Sequence, residues 1–170
     1  TLVTAIRDCT KPVIASINGP AAGGGANLAL ACDIRIASDR ASIGQTFNRI
    51  GLHPDWGGTY FLPRLVGASK ALELFFSGDV IDAAEAFRLG IFSRVVPHAD
   101  LDEATRKLAE QLAAKPPIAL ALAKRAAYAS ESHTLAQMLD LELQHQMRCF
   151  QSHDATEGLN AFLEKRPPVF

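Results

Sequence analysis

The chain has 170 residues, 48% hydrophobic and 21% charged, and its seventeen basic and eighteen acidic side chains leave a formal net charge of -1. That is enough apolar material for a real core and too much for a disordered tail. The near-neutral balance provides no electrostatic footprint for nucleic acid. No apolar run approaches the roughly 20 residues of a membrane span, so neither nucleic acid nor membrane is an expected partner.

From the first residue, TLVTAIRDCT places Leu2, Val3 and Ile6 on one helical face and lacks the charged-then-apolar layout of a signal peptide. The sequence opens inside this helix, so further sequence is expected upstream. Lys11-Pro12 closes the helix, and residues 13–17, VIASI, read as a buried strand. Asn18-Gly19-Pro20 breaks that strand. Residues 33–37 alternate as a strand should, and residues 41–44 suggest another short one. Strand, loop, helix, strand is the order of an α/β protein with crossover helices.

Further along, the glycine-rich loop GLHPDWGGT, residues 51–59, precedes an apolar segment at 60–66. Residues 69–77 predict a helix ended by Gly78, and Asp82 with Glu85 has capping-box spacing for a helix stopped by Gly90. After Pro97 the pattern is helical, over 100–114, 117–130, 134–152 and 154–165, with capping spacing again at Thr134/Gln137 and Asp154/Glu157. Leu135, Leu139, Leu143, Met147 and Phe150 form an apolar stripe that is expected to pack either on the core or on another subunit.

Two features concentrate chemistry. The first is GPAAGGGANLALACD, residues 19–33, where Gly23-Gly24-Gly25 opens a helix of small apolar residues. First-turn N–H groups have no partner inside a helix, and the peptide dipoles add partial positive charge there. A glycine run lets an oxyanion approach those amides, or it simply serves a tight strand-to-helix turn. No Lys-Ser or Lys-Thr follows as in a P-loop, and G-x-G-x-x-G is absent, so a carbonyl that becomes an enolate fits better than a polyphosphate. The second is Asp55 in HPDWGG, either a turn residue bonding its own backbone or a proton-transferring carboxylate. Phe47, Ile50 and Trp56 are the neighbours expected to keep it dry.

Other chemistries find little support. Cys9, Cys32 and Cys149 are odd in number and far apart, which predicts reduced thiols, a cytoplasmic location and no disulfide frame. The five histidines never take H-E-x-x-H spacing, so no metal is expected, although His53 stands two residues from Asp55. A G-x-S-x-G elbow is missing.

The segments KPVIASINGPAAGGGANLALACDIRIASDRASIGQ, GLHPDWGGTYFLPRLVG, SGDVIDAAEAFRLGIFSRVVP and EGLNAFLEKRPPVF together resemble the enoyl-CoA hydratase/isomerase, or crotonase, superfamily across nearly the whole chain. The resemblance implies an α/β spiral of repeated ββα units over residues 1–97, whose N-terminal part would lie upstream, and a helical region over 98–170 used in a homotrimer or hexamer. It implies an acyl-CoA substrate and no cofactor beyond the coenzyme A that the substrate carries.

Residue by residue, the resemblance gives the Gly24 N–H as one of two amides holding the thioester oxygen, the second coming from an upstream loop. It puts Gly23, Gly25, Asn27, Phe47 and Trp56 around the acyl group. Phe162 and Lys165 match positions where a neighbouring subunit touches the adenine end of coenzyme A; read alone, they are a core phenylalanine and a solvated helix end. The two glutamates of the hydratases correspond here to Asn27 and Phe47, neither of which transfers a proton. Asp55 matches the position of the single catalytic carboxylate in some isomerases. ANLALACD with GLHPDWGGT looks most like the branch containing the ring-epoxide isomerases of phenylacetyl-CoA degradation, which makes isomerisation the expected reaction, Asn27 at most orienting a polar group of the acyl part. Water addition by a hydratase, or acyl-CoA binding without chemistry, are the alternatives.

Overall fold

The computed structural model describes all residues, Thr1–Phe170, and the chain divides into two compact units. The first comprises residues 1–9 and 13–108, the second residues 10–12 and 109–170.

In the first unit a short helix, α1 (Leu2–Asp8), precedes strands β1 (Ile14–Ile17) and β2 (Pro20–Ala22), helix α2 (Gly24–Ala31) and strands β3 (Ile34–Ser38) and β4 (Ser42–Gly44). A 3₁₀ turn at Thr46–Ile50 leads to α3 (Gly58–Val66) and α4 (Ala68–Ser77), then β5 (Val80–Asp82), α5 (Ala83–Arg88) and β6 (Arg94–Val96). Two three-stranded sheets result. One has the order β1-β3-β6, all parallel; the other, β2-β4-β5, pairs β2 parallel and β5 antiparallel to β4. The first two passes of the chain each give one strand to each sheet before a helix, the strand-strand-helix winding that the resemblance implies, and in the third α5 stands between β5 and β6.

Parallel strands with helices on their faces are buried on both sides, and β3 shows it: Arg35 to Ser38 are all buried. The surrounding core takes Leu30 from α2, Leu62 from α3, Leu74 from α4, and Ile91 and Phe92 from the loop before β6. Burying each of the larger ones contributes about 1.5–3 kcal/mol. Strands β2 and β5 were not legible in the sequence. Pro-Ala-Ala carries no β-branched residue, and Pro20, which has no N–H to give, stands at the first position of β2, an edge strand of its sheet.

Helix α6 (Leu101–Ala113) runs through residue 108, where the first unit ends, and α7 (Pro117–Ala129), α8 (Leu135–Phe150) and α9 (His153–Glu164) follow in the second. The Thr134/Gln137 capping box forms as expected, as does the Asp82 cap on Glu85 N–H. Asp154 does not cap α9. Ser152 does, accepting from Ala155 N–H at 3.2 Å. The apolar stripe of α8 is not core: Leu135 is 76% exposed and Leu143 64%, with Leu139, Met147 and Phe150 also open.

Glu157, freed from capping, holds the chain end. Its carboxylate accepts from the Arg166 guanidinium at 2.6 and 2.9 Å and from Val169 N–H at 2.9 Å. The Arg166 side chain first, and the Val169 amide second, hold its pKa at about 2, below the ordinary 4.5. A depressed carboxylate stabilises the folded form above its unfolded value and loses that contribution as pH falls through the folded one. The thermal midpoint should therefore fall between pH 4.5 and about 2, and Glu157→Gln should remove that part of the pH dependence. An unchanged profile in the variant would show the tail contact to be idle.

Candidate active site

The entrance to α2 is bare in fact as well as in sequence. Gly23 takes a positive φ of 53°, which a β-carbon would strain, and its N–H is tied to the Gly44 carbonyl at 3.0 Å. No side chain caps the helix, so the first-turn amides, Gly24 among them, have no partner within it. On one side the ring of Phe47 packs, 3.5 Å from where a Gly23 β-carbon would sit. On another stands Trp56, whose Cδ2 is 3.9 Å from a β-carbon placed on Gly24; around Gly25 there is open space. A small acceptor can therefore reach the amides that a longer side chain would shield.

The Asp55 loop lies against this entrance. Asp55 to Gly58 is a tight turn closed by Gly58 N–H to the Asp55 carbonyl at 2.9 Å, with Trp56 at φ 47° and Gly57 at φ 84°. Two successive positive φ values are the type I′ pattern. Glycine takes the second without strain, but tryptophan in the left-handed region costs about 1–2 kcal/mol. Such strain persists where surrounding contacts over-determine it.

Those contacts begin at Asn27. It is fully buried, at 0% exposure, and donates from Nδ2 to the same Asp55 carbonyl at 2.8 Å. Its Oδ1 accepts from Gln45 Nε2 at 2.7 Å. Gln45 is itself buried, directly after β4, and its Oε1 has no hydrogen-bond partner. Beside it, among Leu30, Ile43, Leu62 and Ile91, is a void of about 10 Å³, room for one water and far too small for an acyl chain.

Some expectations need correction. Asn27, which the resemblance put beside the acyl group, is fully buried and spends one N–H on the Asp55 carbonyl and its oxygen on Gln45. Asp55 is exposed, as are Trp56 at 48% and Ile50 at 72%, so these residues do not enclose it; of the three expected neighbours only Phe47 is buried. His53 is exposed as well. Phe162, in the second unit, is 80% exposed on α9 and not a core residue, and Lys165 ends that helix in a left-handed conformation at φ 54°. All three cysteines are free thiols. No helix is long and apolar enough to cross a membrane.

Two residues of the site escaped sequence reasoning. Gln45 gave no signal, being one polar residue after a three-residue strand. Gly58 looked like part of a loop, yet a β-carbon there would lie 2.5 Å from both Nδ2 and Oδ1 of Asn27.

Comparison with known proteins bears on this geometry. The model of the enoyl-CoA hydratase/isomerase family matches residues 1–170. A probable enoyl-CoA hydratase of Rhodobacter capsulatus is 47% identical over 99% of the chain and 66% of its own length. The 1,2-epoxyphenylacetyl-CoA isomerase of Escherichia coli is 41% identical over 99% of the chain and 64% of its own length. A crystal structure of enoyl-CoA hydratase from Bacillus anthracis superimposes with a TM-score of 0.95 at 42% identity, covering 99% of the chain and 65% of that protein. The chain thus spans just under two thirds of the length of these relatives.

Proposed function

Because the chain belongs to the enoyl-CoA hydratase/isomerase family, we propose that the protein isomerises an unsaturated or epoxy acyl-CoA thioester, with Asp55 as the proton carrier and the Gly24 N–H as an oxyanion donor. The observation that carries this reading is the 2.8 Å bond from Asn27 to the Asp55 carbonyl, which ties a carboxylate-bearing turn to the bare start of α2. An acid and an oxyanion site are useful to each other only at such close quarters.

For a 3-enoyl-CoA the sequence of events balances as follows. The Asp55 carboxylate takes a proton from C2, and the electron pair spreads through the thioester carbonyl as a dienolate, whose oxygen is held by the Gly24 amide. The same proton is then returned at C4, the double bond moves to C2–C3, and the carboxylate is restored. Asp55 is open to water in the chain alone, so covering it falls to the acyl group as it binds. Phe162 and Lys165 would meet the adenine end of coenzyme A on a neighbouring subunit of a trimer or hexamer, and the exposed stripe of α8 supports such an assembly.

Hydration is the second reading, favoured by the names of most of the similar proteins, the crotonyl-CoA hydratase of Syntrophomonas wolfei among them. Against it stand Asn27 and Phe47, which occupy the positions of the two hydratase glutamates and carry no transferable proton. Supplying the full-length protein with a 3-enoyl-CoA and, separately, with crotonyl-CoA in deuterated water separates the readings. The proposal expects a 2-enoyl product in which the hydrogen taken from C2 reappears at C4, so that little solvent deuterium enters the acyl chain, and little 3-hydroxyacyl-CoA. Rapid formation of 3-hydroxyacyl-CoA would establish the hydratase instead, and tight binding without product from a panel of esters would make the protein a binder.

A further inference from the structure

We infer that Asn27 is a positioning residue that acts through the Asp55–Trp56 turn, clamping it against the start of α2, and makes no contact of its own with the substrate. The inference rests on the reading of Asp55 as the proton carrier. Three independent features meet at one point. The Asn27 amide donates to the carbonyl that also closes the turn, at 2.8 Å, and is braced from behind by Gln45 at 2.7 Å. Gly58 is bare where any side chain would collide with that amide. Trp56 is held at φ 47°, a conformation it would leave if the turn were released.

The chemistry of the clamp fits the role. Asparagine offers a donor and an acceptor at the end of one short, stiff side chain, so it can bond the turn and Gln45 at once. A carboxylate at the same place would accept from Gln45 but repel the Asp55 carbonyl, because it has no proton to donate. A residue engaged at both ends and fully buried is poorly suited to touch a substrate. Its effect on turnover passes through where Asp55 stands, and a displacement of about 1 Å in a reacting group can cost on the order of 10²-fold in rate.

Trp56, the single tryptophan of the chain, reports on the turn directly. Asn27→Ala, made in the full-length protein, should lower kcat for 3-enoyl-CoA by on the order of 10²-fold with a much smaller change in KM. Trp56 emission, isolated by difference from Trp56→Phe, should move to the red and become more open to acrylamide. Gly58→Ala attacks the same bond from the opposite side and should produce the same pair of changes, which covers the case in which Asn27→Ala does not fold. Loss of turnover with unchanged Trp56 emission and quenching would overturn the inference, since Asn27 would then be acting on the substrate. A loosened Trp56 with undiminished turnover would overturn it too. The Asp55 reading fails separately, if Asp55→Asn keeps full turnover, and the emission measurement is indifferent to that result.

Discussion

Asp55→Asn should lower turnover of a 3-enoyl-CoA by about 10²- to 10⁴-fold, the range that a positioned general base contributes, while the KM for the thioester changes little. The structure makes this substitution unusually clean. The bond that docks the turn uses the backbone carbonyl of residue 55, and Gly58 N–H closes on the same atom. Neither involves the carboxylate. Replacing it with an amide of the same shape leaves the turn, Trp56 and the Asn27 clamp in place, so a loss of rate reports proton transfer. If turnover is unchanged, Asp55 is a turn residue and the isomerase reading falls. If crotonyl-CoA hydration is the activity found and survives the change, the second reading gains what the first loses.

Gly24→Pro should be nearly as damaging, by about 10²- to 10³-fold in kcat, which is the usual loss when one oxyanion donor is removed. Gly24 is the first helical residue of α2, where proline is well tolerated because that N–H has no partner in the helix. Gly23 has no β-carbon to collide with the proline ring, which eases the restriction that proline places on its predecessor. The variant therefore deletes a hydrogen-bond donor and little else, and its unfolding midpoint should stay near that of the parent. Gly24→Ala is the matched control. It keeps the N–H, and its β-carbon would meet Trp56 at 3.9 Å, an ordinary contact, so most of the activity should remain. Equal activity in the proline and alanine variants would remove the Gly24 amide from the mechanism.

Much of the architecture could be read from local chemistry. Gly78 caps the end of α4 and Gly90 follows the end of α5, although the first helix stops at Asp8, short of Pro12, and Asp82 and Thr134 cap helices because their side-chain oxygens sit three residues before unpaired amides. The α/β class followed from the order of those elements, and the repeated strand-strand-helix winding from the family resemblance. Where periodicity was read as destination, the result was less secure. The stripe on α8 is a true helical pattern, but pattern alone does not say what the stripe faces, and here it faces outward. Asp154 had the spacing of a cap and lost the position to Ser152, two residues earlier, while Glu157 was taken by Arg166 and Val169.

The sequence by itself determined which groups are present: a helix start stripped of side chains and a carboxylate in a glycine-rich turn, for which composition and spacing suffice. That asparagine and phenylalanine stand in place of two acids came from the resemblance to the family. Only the tertiary structure showed what Asn27 bonds. Its partners, Gln45 and the Asp55 carbonyl, are 18 and 28 residues away along the chain, and a hydrogen bond is a matter of ångströms and angles that sequence distance does not encode. For the same reason the need for glycine at position 58 became visible only once α2 and α3 were packed, because it comes from a clash with a side chain on another helix.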